Sequence, residues 1–181
     1  KLQEIVSPDL PEEQQMQVVR ILQLSFIRMG KPSEGTTETV TAAIGQFFPS
    51  ESQALNKELC RLAVYFEIPD LIGKSLDLLD DSKHIEDQLH YIFTLRSALK
   101  GWSLEQRRRY FSWFNQDFNG AQHPANVLTW FAEVDRTFSF GASFNKFLAN
   151  IKKDATATLS NAEKIALSDI LEGGQVVAKN R

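Results

Sequence analysis

The chain has 181 residues, of which 43% are hydrophobic and 24% charged, with a formal net charge of −3 and a pI near 5.7. That composition is ordinary for a globular protein and long enough to bury a core, while the mildly acidic balance argues against nucleic acid as the partner. Cys60 is the lone cysteine, which excludes an internal disulfide, a Cys-x-x-Cys zinc pair and a Cys-x-x-Cys-His haem attachment.

In chain order the recurring signal is helical. Asp9, Pro11 and Glu12 read as a helix start, and Val18, Val19, Leu22, Phe26 and Met29 then fall on one face. Gly30, Lys31 and Pro32 end that helix. A second helix is predicted over Glu34 to Phe47, weakened by its threonines. Ser50 with Gln53 reads as a capping box before the stripe Leu55, Leu59, Leu62, Ala63 and Phe66. Pro69 turns the chain, and a short helix follows from Leu71 to Leu79.

Ile85, Leu89, Ile92, Leu95 and Leu99 mark the next helix, stopped by Gly101. Ser103 and Gln106 read as a capping box before Phe111, Phe114 and Phe118. Asn119-Gly120 is a turn signal. Helices are predicted from Pro124 to Phe138, through Phe144, Phe147, Leu148 and Ile151, and from Ser160, capped with Glu163, to Leu171. Lys152-Lys153-Asp154 reads as a charge group at a helix C-terminus, where cations suit the dipole. Gly173-Gly174 ends the last helix. No sustained alternation suggests a strand, and no apolar run is long enough to span a membrane.

Leu59, Leu62 and Phe66, shifted by 33 positions, land on Ile92, Leu95 and Leu99. That spacing suits two-helix repeats, and the short linkers imply antiparallel neighbours. The expected architecture is all-α: a short right-handed, HEAT-like α-solenoid of stacked hairpins with about eight or nine helices. It is read as one domain over residues 1–181, with residues 1–8 and 173–181 as flexible ends. The start at Lys1-Leu2-Gln3, without methionine or a signal-peptide pattern, reads as a segment of a longer protein.

Candidate chemistry is sparse. His90 has Glu86 and Asp87 within helical reach, but a metal site needs three or four ligands. A surface ion pair or a buried histidine hydrogen bond therefore accounts for this cluster, ahead of a metal-dependent enzyme. Gly141-Ala142-Ser143 lacks the strand and second glycine of a nucleophile elbow, and no phosphate-binding loop is present. Arg107-Arg108-Arg109, followed by Tyr110, Phe111 and Trp113, is the strongest basic run. Consecutive helical residues point about 100° apart, so the three arginines cannot all face one ligand. Among the aromatic residues, Trp102 beside Gly101 and Trp130 among polar neighbours are the candidates for an exposed platform.

Three stretches resemble a known family. They are Phe48-Pro49 with Leu55 to Leu62; Glu86 to Tyr91 with Leu95-Arg96, Gly101-Trp102 and Arg109 to Trp113; and Gly141 to Phe144 with Phe147-Leu148 and Asn150-Ile151. Together they are similar to a HEAT-repeat-like helical region of large secreted proteins of the planctomycete type. In that family the region often lies between a sugar-dehydrogenase-like propeller and a c-type cytochrome module. The resemblance implies an exported parent protein and a role as spacer or docking scaffold, with no catalytic residue to carry over.

The expected function is thus a non-catalytic helical-repeat scaffold that contacts a protein partner or flanking domains of the same chain. Arg96, Trp102, Arg108 and Trp130 are its candidate surface. The alternative is a carbohydrate- or peptide-binding module using exposed aromatics. No catalytic, metal or cofactor residue is assigned.

Overall fold

A computed structural model describes residues 10–68, 70–118, 121–134 and 142–172. The predicted ends, the Pro69 corner, the Asn119-Gly120 turn, Gly141, Gly173-Gly174 and the stretch from 135 to Phe138 lie outside the described residues. Among the described residues every regular element is helical, and the one extended pairing is an isolated bridge between His84 and Gln122. None of these helices is long and apolar enough to cross a membrane. The chain divides into two compact units, Lys1–Leu78 and Leu79–Arg181.

The first unit contains α1 (Glu12–Met29), α2 (Glu34–Phe47), α3 (Gln53–Phe66) and the start of α4 (Leu71–Asp81). Helix α3 packs against both α1 and α2. Its stripe behaves as expected: Leu55, Leu59, Leu62, Ala63 and Phe66 are all buried. Helix α1 contributes Val19 and Leu22 to the buried set, whereas Met29, expected on the same face, is exposed at the last position of the helix. Gly30 ends α1 with φ 80° and ψ −170°, a backbone region essentially reserved for glycine, and its N–H reaches the Phe26 carbonyl.

The start of α3 is one cap later than the sequence suggests. Ser52, not Ser50, accepts a hydrogen bond from the Leu55 N–H at 3.2 Å. Ser50 is already engaged: its N–H donates to Asn56 Oδ1 at 2.7 Å, and Asn56 Nδ2 donates to its carbonyl at 2.8 Å. Asn56 is buried, so this reciprocal pair satisfies an amide that would otherwise be costly. At the other end Glu67 takes a left-handed conformation, φ 51°, and the Ile68 N–H returns to the Ala63 carbonyl at 3.0 Å.

The second unit contains α5 (Ile85–Leu95), α6 (Leu104–Ser112), a 3₁₀ turn (Trp113–Asn115), α7 (Ala125–Glu133), α8 (Ala142–Ala157), α9 (Asn161–Ala166) and α10 (Ser168–Glu172). Helix α5 stops at Leu95, a turn before the expected end. Ala98 is buried in place of Leu99, which is 67% exposed. The second copy of the 33-residue pattern therefore keeps its first two apolar positions and loses the third. The capping boxes Ser103–Gln106 and Ser160–Glu163 are both formed, with reciprocal bonds of 2.8–3.2 Å. The last predicted helix is broken in two at Leu167, which is fully buried.

Candidate functional site

In the second unit the three consecutive arginines of α6 diverge as helix geometry requires, each towards a different element. Arg107 is 2% exposed; its Nη1 donates to Thr158 Oγ1 at 3.0 Å, and its Nε lies 3.5 Å from Glu163 Oε1. Arg108 donates to Asp169 Oδ2 and to the Ala166 carbonyl, both at 2.8 Å. Arg109 grips Asp80 Oδ2 at 2.6 Å. Burial lowers the Arg107 pKa, opposed by the nearby Glu163 carboxylate. The basic run is thus a set of ties from α6 to α4, α9 and α10.

Arg96 and Trp102 are also drawn into packing. The Arg96 guanidinium lies over the Phe93 ring, 3.5 Å from its centre, and its Nε is 3.4 Å from Asp154 Oδ2. Trp102 is half-buried; its indole N–H donates to the Ala98 carbonyl at 2.9 Å, and Tyr110 meets it edge-on. Trp130 differs. It is 57% exposed on α7, which has no buried residue, with Leu128 and Val134 exposed nearby. Arg96 thus contacts α5 and α8, Trp102 packs on Tyr110 of α6, and Arg108 reaches from α6 to α9 and α10, while Trp130 stands on α7.

The acid–base cluster is rearranged relative to the sequence. Glu86 Oε1 meets His123 Nδ1 at 2.8 Å, and Asp87 Oδ2 lies 3.6 Å from His84 Nδ1. His90 sits edge-on to Tyr91. The Glu86–His123 contact joins residues 37 apart, beyond the reach of any local spacing rule. It is positioned by the bridge between His84 and Gln122, in which the Ile85 N–H donates to the Gln122 carbonyl at 3.0 Å. Among the described residues no group of three or more His, Cys, Asp or Glu side chains could hold a metal ion.

Lys152 lies inside α8, not at its end, because the helix continues to Ala157. Its ammonium donates to the Leu171 carbonyl at 3.1 Å, closing the C-terminal turn of α10, and burial lowers its pKa. Cys60 is fully buried against Ser75 Oγ at 3.4 Å, and burial pushes its thiol up to about 11. A thiol so poor in thiolate is no nucleophile. Ser143, which lacks the setting of a nucleophile elbow, lies in the first turn of α8.

Two concavities belong to the first unit. One, of about 540 Å³, is lined by Glu12, Gln15, Gln46, Ser50, Glu51 and their neighbours. The other, of about 270 Å³, lies between α1 and α3 and is lined by Gln23, Phe26, Ile27, Arg61, Leu62 and Tyr65. Phe26 stacks on Tyr65 at 6.0 Å and meets Phe66 edge-on at 4.9 Å. Gln23 donates to Glu58 Oε2 at 3.0 Å, and Arg61 holds the same carboxylate. The wall is therefore largely apolar, and the Glu58 carboxylate beside it is paired with Arg61.

Protein-family models, curated proteins and solved structures yield no match to this chain.

The large exposed side chains Ile21, Leu24 and Ile27 on α1 were absent from the sequence-derived surface. Their signal was present: apolar residues every third position, outside the stripe of Val19, Leu22 and Phe26. A helix that is apolar on more than its core face has surface left to cover.

Proposed function

We propose that this chain is a non-catalytic helical-repeat scaffold that docks a protein partner or flanking domains. The observation that carries this reading is a division of labour among side chains. The α6 arginines, His84 and His123 are engaged with carboxylates of the same unit, while large aliphatic and aromatic groups face outward on α1 and α7. Surfaces rich in such exposed groups mark contact sites.

HEAT-like stacking is the architecture we propose for it. Support comes from the 33-residue recurrence and from α3, which packs against both preceding helices, as in repeats that contact their sequence neighbours. The resemblance to the helical region of secreted planctomycete-type proteins supports an exported parent and a spacer role between other modules.

The test is affinity capture with the tagged chain from extracts of its source organism at moderate salt, with cross-linking and mass spectrometry. A discrete partner cross-linked to a reproducible set of lysines supports docking. No retained partner, with no cross-link to any other protein, removes the reading. Trp130 favours a second reading, a ligand platform on α7, because it is exposed where Trp102 is half-buried. That reading expects Trp130 fluorescence to change on titration with glycans or extended peptides, and a flat response across the panel ends it.

A further inference from the structure

The outward face of α1 carries a second apolar row that the core does not use. Ile21, Leu24 and Ile27 are 62%, 53% and 78% exposed, while Val19 and Leu22 across the helix are buried. Residues three and four apart are neighbours on a helix surface. Leu24 therefore stands where two rows cross: Ile21–Leu24–Ile27 and Arg20–Leu24–Arg28. Both arginines are exposed.

Ile27 also lines the groove between α1 and α3, so the row and the Phe26–Leu62–Tyr65 wall form one apolar strip. Single exposed aliphatics need no explanation, but a contiguous strip does. On the α1 side its border has one sign, and on the α3 side the Glu58 carboxylate is already paired with Arg61. Between Glu13 and Glu34 the chain has no acidic residue, and its charges there are Arg20, Arg28 and Lys31, although the whole chain is net negative. The helix dipole accounts for Arg28 in the last turn. It accounts for neither Arg20, more than two turns back, nor the apolar row.

We propose that this strip seats an amphipathic helix of a partner protein whose apolar row is bordered by acidic residues. The inference rests on the docking reading above and gives it a surface and a partner chemistry. Apolar residues of the incoming helix at i, i+3 or i+4 and i+7 lie along Ile21, Leu24 and Ile27 and enter the groove beside Tyr65. Its carboxylates meet Arg20 and Arg28, which sets orientation and discriminates against basic helices. A second copy of the same face is disfavoured, because a two-fold pairing would set one arginine border against another.

The experiment uses the full chain and two synthetic amphipathic helices with the same apolar row, one bordered by glutamates and one by lysines, followed by fluorescence anisotropy. The glutamate peptide binds and the lysine peptide does not. Leu24→Glu weakens the glutamate peptide by at least about tenfold, and the pair Arg20→Glu with Arg28→Glu reverses the preference. Equal affinity for both peptides, no binding of either, or binding indifferent to Leu24→Glu overturns the proposal. So does a concentration-dependent dimer that Leu24→Glu dissolves in sedimentation, since the occupant would then be a second copy. All three positions are exposed, and unchanged thermal unfolding of the variants shows that the fold is intact. Capture from source extracts separates this proposal from the broader one. A partner retained equally by wild type and Leu24→Glu keeps the scaffold and removes the strip; no partner on either removes the scaffold itself.

Discussion

The Arg107 guanidinium lies over the Trp102 indole, 4.3 Å from the ring centre, and ties that ring to Thr158 and Glu163. A buried arginine is costly unless its charge finds a partner. Replacing Arg107 with Leu removes the cation–π contact, the Thr158 hydrogen bond and the ion pair together. The expected loss is about 2 kcal/mol, below the 3–5 typical of fully buried pairs because Glu163 keeps access to water. Urea denaturation measures it, and a variant as stable as wild type would show that these contacts do not hold the unit. Arg108→Ala should change stability far less, because its partner Asp169 is exposed.

Glu163 adds a pH dependence. Its carboxyl is held below the ordinary glutamate value by the Ser160 hydroxyl and N–H, and by Arg107. A depressed folded-state pKa contributes stability that is present above the unfolded value of about 4.5 and lost as pH falls through the folded one. Glu163→Gln, which can still cap Ser160, should be less stable than wild type at pH 7. The gap should close progressively below about pH 4.5. Denaturation series from pH 7 to pH 3 on both proteins test this, and a gap independent of pH would refute the charge-based account.

Cys60 should resist alkylation. A thiol raised from 9.0 to about 11 carries roughly a hundredfold less thiolate at pH 8. Burial slows it further. Iodoacetamide labelling followed by mass spectrometry should show little modification of the native chain and rapid modification in urea. Fast labelling of native protein would contradict the packing of α3 around Cys60.

Tyr110 is fully buried and its hydroxyl donates to the Ile92 carbonyl at 2.8 Å, joining α6 to α5. Burial raises its pKa well beyond the usual phenol range, so it stays a donor at any working pH. Tyr110→Phe leaves the ring contacts with Trp102 and Phe114 in place and removes that one bond. The expected cost is about 1 kcal/mol, read from the denaturation midpoint, and no change would mean the carbonyl finds another donor.

Gly30 tests the end of α1. A Cβ there would meet nothing within 4 Å, so any cost of Gly30→Ala comes from the backbone at φ 80° alone. The expected cost is about 2 kcal/mol. A neutral substitution would show that the turn relaxes to a conformation open to alanine.

Local features were legible before the fold. Helix caps depend on residues three apart, so the boxes at Ser103–Gln106 and Ser160–Glu163 could be read directly. The α3 stripe was legible because a helix with one wet face shows its core as a period. Errors arose where packing or a competing neighbour overrode the local pattern. Ser52 took the cap role read for Ser50, Leu99 lost its core position to Ala98, and Lys152 found the carbonyl of Leu171.

What the amino-acid order determined by itself is therefore the all-helical class, the main helices, and the divergence of Arg107, Arg108 and Arg109, since all three follow from 3.6 residues per turn. The tertiary structure alone decided which side chains meet. It paired Glu86 with His123 rather than leaving it to His90, packed Trp102 against Tyr110 and Arg107, and left Ile21, Leu24 and Ile27 in water. Those outcomes depend on contacts between residues far apart in sequence. Helical periodicity places a side chain on a face, but only the packing of other helices decides whether that face is covered.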